Sequence, residues 1–168
     1  MLIVVVGAVG LGIGFLLPAI LNAKPQHLPT TTNLSPEPGA SFWTPILNQG
    51  DPPSDVLQNL VIPQGAKVTS YDNLDGGTSQ YDRSATFFVA ASSTDVLGFY
   101  NVELASLGWK LRGAAPTKDH KGTTILAYRF SHDSYEWQLQ VGAEPTVNTG
   151  TSGSKLTIEA YQLSDGGS

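Results

Sequence analysis

The chain has 168 residues, enough for one ordinary domain plus an appendage. Its formal net charge is −5 and only 14% of its side chains are charged, so it lacks the basic face that a nucleic-acid partner requires. It contains no cysteine, which excludes disulfides, zinc–thiolate sites, iron–sulfur clusters, c-type haem attachment and cysteine nucleophiles.

Residues 1–23 carry no charge, and the apolar run Leu2–Leu21 is as long as a bilayer-spanning helix, about 30 Å. A single transmembrane helix over 1–23 is the expectation. A cleaved signal peptide fits less well, since no positive residue precedes the run and the apolar stretch exceeds the usual length of about 7–15 residues. The Gly-rich stretch from Gly7 to Gly12 imitates a dinucleotide-binding turn, but Pro18 and a Pro-rich stretch follow where a helix and a second strand are needed. Gly7, Gly10 and Gly14 fall on one helical face, and Gly10 and Gly14 form a G-x-x-x-G pair. That face is expected to pack against another helix, either a partner's or a second copy's. Lys24 alone flanks the run and points to a cytoplasmic C-terminal side. The Thr-, Ser-, Gly- and Asn-rich, Lys-poor composition beyond it points the other way, to an extracytoplasmic domain on a cell membrane.

Residues 24–53 hold Pro25, Pro29, Pro36, Pro38, Pro45, Pro52 and Pro53 and read as a tether. Fully extended as polyproline II, it would reach roughly 90 Å. Within it Phe42, Trp43, Ile46 and Leu47 form an apolar cluster expected to dock on a partner, lie at the bilayer interface, or pack back on the chain's own domain.

Residues 54–168 read as an α+β domain. A short helical turn is expected at Ser54–Leu60. Strands follow at Lys67–Tyr71 and Ala85–Ala90, joined by a turn-rich loop, Asp72–Gln80. Ser92 to Asp95 then supply an N-cap hydroxyl and a first-turn acid. Val96, Tyr100, Leu104 and Leu107 repeat at helical spacing, and Gly108 ends the helix. Strands are expected at Trp109–Arg112, Thr123–Phe130, Tyr135–Val141 and Lys155–Leu163, with polar, mobile loops at Ala114–Gly122 and Pro145–Ser154. Trp137, Leu139 and Val141 alternate with Gln138 and Gln140, as Leu156, Ile158 and Ala160 do with Thr157 and Glu159. The expected architecture is therefore ββαββββ, an antiparallel sheet with one face covered by the helix and the other polar.

Phe99-Tyr100, Leu104 and Gly108-Trp109, behind a first hairpin entered through Val61-Ile62-Pro63-Gln64-Gly65-Ala66, form a recurring pattern. Over residues 61–141 the chain resembles small exported bacterial domains of unknown function that carry FY-x3-L-x3-GW, often behind a membrane anchor. The resemblance implies the α+β fold and the anchored arrangement; it implies no reaction or ligand. On helical spacing alone, the motif's residues are core.

Candidate chemistry is sparse. His27 lies in the tether. His120 and His132 lie in loops beside Asp119 and Asp133, too few ligands for zinc, and are read as exposed. No Gly-x-Ser-x-Gly elbow occurs. Asp72 and Asp75, with Asp82 across the same loop, are the possible carboxylate pairs, but lack calcium-loop spacing and are read as turn residues. No catalytic residue, metal site or cofactor is assigned. The expected function is a non-catalytic accessory subunit contacting other membrane protein subunits and the lipid bilayer. Electron-transport and photosynthetic assemblies are one class of host that collects single-helix subunits. The alternatives are a tethered module that binds a glycan, lipid or peptide through its sheet, and a hydrolase with a cleft joining His120, His132 and acids of the Asp72–Asp82 loop.

Overall fold

The computed structural model describes residues 28–39, 54–73, 81–116, 124–132 and 135–163. The expected span 1–23 with Gly7, Gly10 and Gly14, the cluster of Phe42, Trp43, Ile46 and Leu47, and His120 lie outside the described residues. Among those described, no helix is long and apolar enough to cross a membrane.

The domain is a mixed α+β fold. Its six-stranded antiparallel sheet comprises β3 (Lys67–Asn73), β4 (Asp82–Val89), β5 (Lys110–Pro116), β6 (Thr124–His132), β7 (Tyr135–Asn148) and β8 (Thr151–Leu163), in spatial order β3-β4-β8-β7-β6-β5. The main helix α2 (Ser93–Ser106) follows β4 and packs on β7, β8 and β5. A second, two-stranded sheet pairs β1 (Pro36–Pro38) with β2 (Val61–Pro63), and the short helix α1 (Ser54–Gln58) precedes β2. The expected ββαββββ order is present. Bulges fall between Val68 and Ser70 and between Leu111 and Gly113, on the two edge strands, where they break the regular template an open edge offers.

Both ends of α2 follow from local sequence. The Ser92 hydroxyl oxygen accepts from the Asp95 backbone N–H at 3.1 Å and donates to the Asp95 carboxylate at 2.6 Å. At the other end the Gly108 N–H donates to Ala105 and the Trp109 N–H to Leu104, at 3.3 and 2.9 Å, while Gly108 adopts φ +89°. These two bonds define a Schellman motif. Its accompanying apolar contact joins the residues three before and two after the cap, here Leu104 and Trp109, both buried. The L-x3-GW part of the sequence pattern is thus a helix terminator. The Trp109 indole N–H donates to the Asn59 carbonyl at 2.8 Å, tying the end of α2 to the turn after α1. Phe99 and Tyr100 pack edge to face, with centroids 5.0 Å apart.

Five consecutive residues of α2, Val96 to Tyr100, are buried. At 3.6 residues per turn this run passes right round the helix, so α2 is covered on the side away from the sheet as well. The described part of the stretch expected as a tether supplies cover there. Leu28 and Leu34 pack on the core, Pro29 and Thr31 lie against Gly98, and the Asn101 amide donates to the Pro29 carbonyl at 2.9 Å. Farther along, Gln64 donates to Ser35 at 2.8 Å and Gly39 to Leu60 at 2.9 Å, on either side of the β1–β2 ladder. A free tether through residue 53 is therefore corrected: residues 28–39 are part of the folded unit. Prolines do not prevent this, because a three-residue edge pairing asks for few donors.

A second correction concerns Pro145–Ser154, which forms strand, turn and strand. Asn148 pairs with Thr151 around Thr149 and Gly150, whose φ values of 47° and 80° make the tight primed turn that suits the twist of a hairpin. Pro145 is accommodated because, among the described residues, β6 pairs with β7 no farther than Ala143. Ala114, expected to open a loop, lies in β5.

Candidate functional site

The sheet register sorts the side chains of the inner strands. Ala85, Phe87, Leu139, Val141, Leu156, Ile158 and Ala160 share one face and form a single core with the buried residues of α2. On the other face two rows cross β4, β8 and β7. Asp82, Tyr161 and Gln138 are register partners in one, and Ser84, Glu159 and Gln140 in the next. These six polar side chains are the candidate site.

The rows do not form the open polar face expected from alternation. Gln138, Gln140 and Glu159 are 1%, 2% and 4% exposed. They stand on the two innermost strands of the sheet. The half-covered sheet of the sequence reading is corrected here: the polar side of its centre is sealed from solvent. Hydrogen bonding within the rows is incomplete. The Gln140 amide N–H donates to the Tyr161 hydroxyl at 3.2 Å. Both amide atoms of Gln138, the Gln140 carbonyl oxygen and the Glu159 Oε2 are buried without a hydrogen-bond partner.

Electrostatics follow from burial. Loss of hydration raises the Glu159 carboxyl from its ordinary 4.5 to about 7, and the Asp82 charge adds to the effect. Burial likewise raises Asp82 from 3.8 to about 6. Near neutral pH the pair therefore holds a proton that two exposed carboxylates would have lost. A protonated Glu159 is a donor as well as an acceptor, set beside amides that are both. The arrangement thus places a carboxyl that favours its neutral form beside two buried amides.

Of the sequence-predicted candidates, the register brings only Asp72 and Asp82 near one another among the described residues. Asp72 is exposed on the edge strand β3. Asp75 lies outside the described residues. Asp82 belongs to β4 and stands diagonal to Glu159 across the β4–β8 ladder and to Asp72 across the β3–β4 ladder. His132 ends β6 opposite Tyr135. Among the described residues, no three His, Cys, Asp or Glu side chains gather as a metal site. The diagonal approach of Asp82 to Glu159 is not legible in the sequence. Its signal, an acid at a polar position on each of two strands, says nothing about which strands lie side by side.

The other notable polar residue, Arg83, is buried on the core face, with its guanidinium 4.7 Å from the centre of the Tyr71 ring. Trp109 and Trp137 are buried, which places both in packing and not on a stacking surface. The chain matches no protein-family model, and comparisons with curated proteins and with solved structures find no significant match.

Proposed function

We propose that this protein is a non-catalytic, single-pass accessory subunit of a larger membrane protein complex. In this reading Leu2–Leu21 crosses the cell membrane, the face of Gly7, Gly10 and Gly14 packs on a neighbouring helix, and the α+β domain lies on the extracytoplasmic side against partner subunits. Phe42, Trp43, Ile46 and Leu47, in the stretch between the docked segment and Ser54, are the residues that dock on a partner.

The observation that carries this reading is the docking of residues 28–39. Residues 28–39 cover α2 and pair with β2, which supports a close joint between anchor and domain over a long free tether. Such a joint suits a subunit that holds a fixed position beside its neighbours. The polar rows under the sheet are sealed, and their two carboxyls and two amides resemble a buried hydrogen-bonding network more than an open substrate cleft.

Gentle solubilisation of native membranes tests the proposal. The chain is expected to migrate with other chains in fixed ratio, and Gly10→Leu with Gly14→Leu is expected to release it. Migration as a lone monomer would overturn the reading in favour of a self-sufficient module for a glycan, lipid or peptide.

A further inference from the structure

The point at which the chain enters the domain sets how far the domain can travel. Leu28 packs on the core and Pro29 sits on Gly98, on the side of α2 turned away from the sheet. The apolar run ends at Leu21, so only Asn22 to His27 separate it from the docked segment. Whatever their conformation, that stretch spans no more than about 25 Å from Leu21 to Leu28. The roughly 90 Å reach of a tether through residue 53 is not available to this fold.

We infer that the domain is held at the bilayer surface, with the layer formed by α2 and residues 28–34 toward the lipid headgroups and the polar rows of the sheet turned outward. The placement rests on the anchored reading of Leu2–Leu21. It follows from a short leash attached to one particular layer. The sheet lies beyond that layer, about 10 Å farther out at ordinary packing distances. A partner that touches the domain must therefore do so close to the membrane.

The absence of cysteine allows single-site labelling of the full chain. Ala105 is exposed on α2, one turn beyond Asn101 and on the same side, while Ser70 is exposed on β3, on the sheet side of the polar rows. Ala105→Cys and Ser70→Cys, each carrying a donor fluorophore, are reconstituted in phosphatidylcholine vesicles with headgroup-labelled acceptor lipid. Energy transfer is expected to be stronger from position 105 than from position 70. A twenty-residue Gly-Ser spacer between His27 and Leu28, about 25 Å in root-mean-square length, should lower transfer at both positions and remove the difference. Chains that float with the vesicles but transfer equally from both sites, or ignore the spacer, overturn the placement alone. Chains that fail to float overturn the anchored reading and the placement with it.

Discussion

Gly98 on α2 and Pro29 on the docked segment approach so closely that a Cβ added to Gly98 would lie 2.9 Å from the Pro29 Cβ and 3.1 Å from the Thr31 carbonyl oxygen. Glycine is a poor helix former, by about 1 kcal/mol against alanine. Here the lost propensity is offset by the approach of a second chain segment. Gly98→Leu gains that propensity but has no room. A net loss of about 2 kcal/mol is expected, from the range typical of overpacking. Thermal melting should show it, and limited proteolysis should now cut within residues 28–34. Unchanged melting with an intact segment would contradict the docking.

The Schellman closure gives a prediction about the end of α2. Trp109→Phe keeps the apolar contact with Leu104 but leaves the Asn59 carbonyl without its donor. A loss of about 1 kcal/mol is expected in denaturant unfolding. A midpoint equal to the parent's would show that the indole N–H contributes nothing.

Glu159 makes stability depend on pH in a defined direction. Its carboxyl titrates at about 7 in the folded chain against an ordinary 4.5, so between these values the folded state keeps a proton that the unfolded state has released. Stability is therefore greatest at and below the lower value, falls as pH rises through the interval, and levels off above pH 7. Asp82, raised to about 6, adds a slope of the same sign. Glu159→Gln keeps a neutral side chain of similar size. The variant should match the parent near pH 4 and exceed it at pH 8 by as much as roughly 3 kcal/mol. Unfolding midpoints across pH 4–8 would test this. A parent that becomes more stable on raising the pH from 5 to 7 would refute the assignment.

Thr149 carries a β-branched side chain at φ 47°, a conformation L residues other than asparagine and aspartate avoid. Asparagine is favoured at this position of a primed turn. Thr149→Asn is expected to stabilise the β7–β8 hairpin by about 0.5–1 kcal/mol, raising the melting temperature. A lower one would mean that the threonine hydroxyl is needed in the turn.

Much of the architecture can be read locally. The alternation of Trp137, Leu139 and Val141 marks β7, the Ser92–Asp95 cap starts α2, and Gly108-Trp109 ends it. What could not be read depends on contacts between distant positions. Leu28 and Leu34 look like stray apolar residues among prolines until the core is seen to receive them. Gln138 and Gln140 occupy polar positions by period, yet burial depends on the neighbours of β7 and β8, which period does not specify. The Asp82–Glu159 pair needs the β4–β8 register, set by residues far apart along the chain. Thr149-Gly150 was passed over because a threonine replaces the usual asparagine of the turn signal.

The wrapping of α2 by residues 28–34 has a practical corollary for recombinant work. A product trimmed to begin at Ser54 would strip the outer flank of Val96–Tyr100 and leave it bare to water. It would be expected to clump or to recruit unrelated hydrophobic surfaces. Any secretable version of the domain should start upstream of Leu28, retaining the proline-rich strap that a trimming strategy would discard first.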